Sequence, residues 1–64
     1  MPDDVKILSN LVKVLMAMIR DKGWTDALDT ETREGIETVR LVSPATATEL
    51  NGVFGKLMKS LDRS

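Results

Sequence analysis

The stretch DDVKILSNLVKVLMAMIRDK, Asp3 to Lys22, carries more apolar surface than one face of a helix can use. Placed at about 100° per residue, Val5, Leu8, Val12, Leu15 and Ile19 form one seam with alternating spacings of three and four. Ile7, Leu11, Val14 and Met18 form a second seam beside it, and Met16 widens the first. Together they span roughly 200° of the helix, where an ordinary amphipathic helix needs a stripe of about 100°. The remaining arc holds Lys6, Ser9, Asn10, Lys13, Ala17 and Arg20. A helix this apolar has to be covered on two sides, so the sequence predicts a central helix that packs on its own chain and also on a second copy or another protein; the alternative is a central helix covered by its own chain alone. The heptad seam has barely two repeats, which predicts a bundle contact and not a long zipper.

Punctuation around this helix is clear. Pro2 suits a first turn, and Asp3 and Asp4 suit the positive N-terminal end. Gly23 is a natural residue just past a helix end, and Arg20 and Lys22 place cations in the last turn. Trp24, the single Trp, is expected to fold back as a core plug; the alternative is an exposed anchor for a partner. Residues 25–30 read as a polar connector with at most one turn at 26–28, and Asp29 or Thr30 as the N-cap of a second helix over about 30–42. Its inner face carries Thr32, Ile36, Val39 and Val42, with Gly35 beside them weakening the helix by about 1 kcal/mol; Leu28 joins that face if the helix starts earlier. The β-branched run from Ile36 to Val42 would suit a strand, but no other segment offers it a partner.

Ser43-Pro44 stops one helix and starts the next, with Ser43 as N-cap and Pro44 at the first helical position. Thr46 with Glu49 is an alternative capping box. The third helix is predicted over about 44–62, with Leu50, Val53, Phe54, Leu57, Met58 and Leu61 on its apolar face. Gly52 and Gly55 lie off that face, and Asn51-Gly52 is the one place where this helix would split. The fold class is therefore all-α. The chain is expected to form one helical domain over 1–64: a three-helix bundle, or a helical hairpin plus a third helix, completed by oligomerisation.

Composition narrows the function. Sixty-four residues form one small domain that buries a modest core, and no Cys is present to staple it. Absence of Cys, His and Tyr removes the usual nucleophile–base pairs and zinc sites, so no catalytic residue, cofactor or metal is assigned and no small-molecule substrate is expected. Asp26, Asp29, Glu31, Glu34 and Glu37 cluster in a segment of net charge −3, but without calcium-loop spacing they read as a solvated face. The net charge of −1 excludes a strongly basic nucleic-acid binder. The start is acidic where a secretory signal would be basic. The longest apolar run, Val14 to Ile19, is six residues, against about 20 for a membrane span. A soluble cytoplasmic protein that does not act at membranes is expected.

What remains is binding. The favoured expectation is a non-enzymatic adaptor, accessory factor or inhibitor acting through protein–protein contact. It would self-associate through helix 1 by Leu8, Leu11, Leu15, Met16, Met18 and Ile19, with Trp24 at the edge. The alternative is an oligomeric nucleic-acid-binding module. Lys6, Lys13 and Arg20 recur every seven residues on helix 1, and Lys56, Lys59 and Arg63 line the outer face of helix 3. The Ser43-Pro44-Ala45 start, followed by Glu49-Leu50-Asn51 and a Lys-ending helix, resembles the end of small terminase subunits of short-tailed bacteriophages over fewer than twenty residues. Those are helical oligomers that bring viral DNA to the packaging motor, and the resemblance implies a phage packaging or regulatory factor.

Overall fold

Burial of one seam of the first helix organises the fold. The computed structural model describes residues 2–61. Three helices follow one another: α1 (Pro2–Lys22), α2 (Asp26–Val42) and α3 (Pro44–Ser60). They form a three-helix bundle about 35 Å long, close to the roughly 31 Å that α1 alone spans at 1.5 Å per residue. The core consists of Val12, Met16 and Ile19 from α1, Ile36 and Val39 from α2, and Ala47, Leu50 and Phe54 from α3. Leu8, Trp24, Leu28, Leu57, Met58 and Leu61 pack around it half-buried. Trp24 thus sits against the core, as its place after the helix end predicts.

Each turn has a local cause. Gly23 closes α1 at φ +106°, a conformation that other residues rarely adopt, and its N–H donates to Ile19 O at 3.0 Å. The second helix starts earlier than the sequence suggests. Thr25, not Asp29 or Thr30, is the N-cap: its hydroxyl oxygen accepts from the Leu28 N–H at 3.1 Å. The extra turn carries Leu28 onto the core one turn before Thr32, so tertiary burial outweighs the equally good caps further on. Asp26 and Asp29 then fall in the first turn, where anions are favoured. Ser43 alone separates α2 from α3. Its N–H donates to Val39 O at 2.7 Å, and its hydroxyl accepts from the Thr46 N–H at 3.4 Å. The backbone there is extended, as the residue before a proline should be. Helix α3 runs unbroken through Asn51-Gly52 and ends at Ser60, slightly before the expected 62. No strand forms among the described residues.

Four positions depart from the periodic reading. Val42 and Val53, expected on inner faces, are half-exposed at 50% and 54%, whereas Ala47 is fully buried. The bundle axis does not run through the centre of either apolar arc, so their edge residues turn outward. Ser9, assigned to the polar arc of α1, is buried at 8%. It lies on the helix between Val5, Val12 and Met16, inside the inward seam. Thr32 is also buried, and its hydroxyl is satisfied by donating to Leu28 O at 2.7 Å.

Gly35 sets the spacing of α1 and α2. A Cβ added there would lie 2.7 Å from Val12 Cγ2, far inside van der Waals contact. Val12 is completely buried and stiff at χ1, so its methyl group cannot swing aside. Gly35→Ala is therefore expected to destabilise the fold by about 1–3 kcal/mol, despite the roughly 1 kcal/mol gained in helix propensity. Gly52→Ala and Gly55→Ala meet open space and should each stabilise by about 0.5–1 kcal/mol. Urea midpoints at constant m-value measure both.

Candidate functional site

The two seams of α1 have opposite fates. Val12, Met16 and Ile19 are buried and Leu8 is half-buried, all packed in the core of the same chain. Leu15 lies between the seams and is half-buried. Ile7, Leu11, Val14 and Met18 point outward at 65%, 53%, 55% and 38% exposure. Of the residues expected at an interface, Leu11 and Met18 therefore lie on the free surface. Met16 and Ile19 are committed to the core, and Trp24 and Leu8 flank it. Ile7 and Val14, from the second seam of the sequence, lie in the same outer stripe as Leu11 and Met18. Spacings of four, three and four keep that stripe straight over about 17 Å, Ile7 to Met18. Isolated exposed apolar residues are ordinary; here four adjoin in one continuous stripe on one helix.

Basic residues gather on the other flank of α1. Helix α3 packs less closely on α1 than α2 does. Between α1 and α3 lies a groove of about 380 Å³, floored by Met16, Ala17, Val53 and Leu57 and rimmed by Lys13, Arg20 and Lys56. A second groove, of about 580 Å³, lies between α2 and α3 and takes Arg33, Phe54, Lys56 and Lys59 in its walls. Lys56 thus stands between the two. The structure brings Lys13, Arg20 and Lys56 together at the first groove, and Lys59 joins Lys56 at the second. Lys6 lies outside both grooves, and Arg63 lies outside the described residues.

Arg33 was not anticipated. Its guanidinium lies 5.2 Å from the Phe54 ring centroid, and its Nε donates to Asp29 Oδ2 at 3.0 Å. The sequence signal was the Asp29–Arg33 spacing of four on α2; nothing local indicated the aromatic ring of α3. Among the described residues, Lys13, Lys56 and Lys59 form no ion pair, whereas Arg20 meets its neighbour Asp21 at 3.2 Å in the open and Arg40 meets Glu37 at 3.3 Å. Such exposed pairs add little stability. The carboxylates of α2 do not converge: no group of three that could hold a metal ion occurs among the described residues. Nor is any helix there long and apolar enough to cross a membrane. No family model, curated protein or solved structure matches the chain.

The division of α1 is measurable by paired truncation. Ile19→Ala should remove about 2–5 kcal/mol, much or all of the stability of a bundle this small. Leu11→Ala in dilute protein should change it by about 0.5 kcal/mol or less. Urea denaturation followed by circular dichroism reports the difference.

Proposed function

We propose that this chain is a small non-enzymatic helical protein that works through protein–protein contact and pairs with a second copy through the outer stripe of α1. The observation behind this reading is the outward stripe of Ile7, Leu11, Val14 and Met18 on a helix whose other seam is already buried. The four positions are symmetric about the point midway between Leu11 and Val14. An antiparallel copy related by a two-fold axis there sets Ile7 against Met18 and Leu11 against Val14, each pair formed twice. Asp4 and Lys22 lie eighteen residues apart, five whole turns, on one edge of the stripe. The same antiparallel arrangement sets the Asp4 carboxylate of each copy beside the Lys22 ammonium of the other, whereas a parallel one stacks like charges. Pairing also supplies the apolar burial that a bundle of this size lacks. A cytoplasmic setting fits this reading, because a fold without Cys does not depend on an oxidising compartment.

A second reading, an oligomeric nucleic-acid-binding module, draws on Lys13, Arg20 and Lys56 at one groove and Lys56 with Lys59 at the next. Its signature is retention on DNA at low salt that falls steeply as salt rises.

Light scattering over a dilution series tests the first reading. The expected mass is twice that of one chain at high concentration, and Leu11→Glu with Val14→Glu should give a folded monomer throughout. A wild-type protein that stays monomeric at millimolar concentration refutes it. The absence of natural Cys makes orientation testable as well. Mixed Ile7→Cys and Met18→Cys chains should oxidise mainly to the heterodimer; predominance of the two homodimers would mean parallel packing.

A further inference from the structure

The groove between α1 and α3 is built differently from the outer stripe. Its floor is apolar: Met16 is buried at 5%, Leu57 is half-buried, and Val53 is held 54% exposed at the edge, where it has no partner in the core. Its charged lining residues, Lys13, Arg20 and Lys56, are all basic. Lys13 and Arg20 stand two turns apart on α1, and Lys56 faces them from α3. Neither lysine is neutralised by a carboxylate among the described residues, and the charge of Arg20 is offset only by an exposed contact with Asp21. This happens in a chain of net charge −1, whose acidic side chains concentrate on α2. Basic charge has thus been segregated around an apolar slot.

We infer that this groove is a docking site for an acidic amphipathic segment of a partner protein, a short helix that lays apolar side chains against Met16, Val53 and Leu57 and sets carboxylates against Lys13, Arg20 and Lys56. The commitment to a protein segment rests on two features. Apolar side chains fit the floor, which phosphates cannot use. The groove also has no aromatic lining on which bases could stack; Phe54 belongs to the other groove. The steering charges raise the association rate and select against basic segments. The site lies on a different flank of α1 from Leu11 and Val14, so it does not depend on self-pairing.

The test uses the full chain and synthetic probes. The main probe is a capped helical peptide of about four turns with Leu at i, i+3, i+4 and i+7 and Glu elsewhere, read by fluorescence anisotropy and by amide chemical-shift mapping. Controls are the same peptide with Lys in place of Glu, polyglutamate, and a DNA duplex. The acidic amphipathic peptide should bind in the micromolar range, with shifts on residues lining the groove, and the Lys version at least tenfold more weakly. Lys13→Glu with Lys56→Glu should weaken it at least tenfold, Val53→Asp similarly, while Lys13→Arg with Lys56→Arg retains it. Leu11→Glu with Val14→Glu should leave it unchanged. Absence of binding at millimolar peptide overturns the inference, as do equal binding of the Lys peptide, equal binding of polyglutamate, tighter binding of DNA at the same residues, or shifts confined to the outer stripe.

Discussion

The contact of Val12 with Gly35 governs how this bundle is assembled. A glycine in mid-helix is unfavourable on local grounds, yet here it lets α1 and α2 approach until a valine methyl group occupies the space of the missing side chain. Close approach of these two helices makes their interface the most extensive of the three, and α3 then lies across the pair through Ala47, Leu50 and Phe54. Ala47 repeats the logic on a smaller scale, since its small side chain is wholly buried where a larger one would hold α3 away. The looser α1–α3 contact follows from the tighter α1–α2 one. Two helices drawn close together leave the third to bridge them, and grooves open along both of its flanks.

Turning one seam of α1 inward forces the other outward. The helix has no rotation that buries both, because α2 and α3 approach from the same side. Its exposed apolar stripe is therefore a necessary product of the fold and not an accident of one side chain. The polar arc of α1 then falls beside α3, which brings Lys13 and Arg20 to Lys56. An apolar stripe and a basic groove thus arise on two flanks of one helix from a single choice of packing angle.

The connections are short enough to fix that choice. One residue, Ser43, both ends α2 and caps α3, and its extended backbone before Pro44 leaves little freedom in the angle between them. Between α1 and α2, the positive-φ Gly23, the inward-packed Trp24 and the capping Thr25 form an equally tight corner. Short corners favour antiparallel neighbours and contacts between residues near in sequence.

Local chemistry made much of this legible from the chain. The all-α class, the ends of α1 at Gly23 and of α2 at Ser43, the continuation of α3 beyond Pro44 and the excess of apolar surface on α1 all follow from caps, glycine and proline geometry and side-chain periodicity. The start of α2 did not. Thr25, Asp29 and Thr30 are comparable caps, and only the burial of Leu28 against the other helices selects the first. The role of Gly35 was equally hidden, because a glycine that weakens a helix and one that admits a neighbouring valine look identical until the neighbour is in place. Periodicity identified two apolar seams on α1 and two basic rows on α1 and α3. It gave no means of telling which seam turns inward, that Met16 and Ile19 belong to the core, or that Lys13, Arg20 and Lys56 meet at one groove. Those were decided by docking, since burial and proximity are properties of a side chain's neighbours and not of the side chain itself.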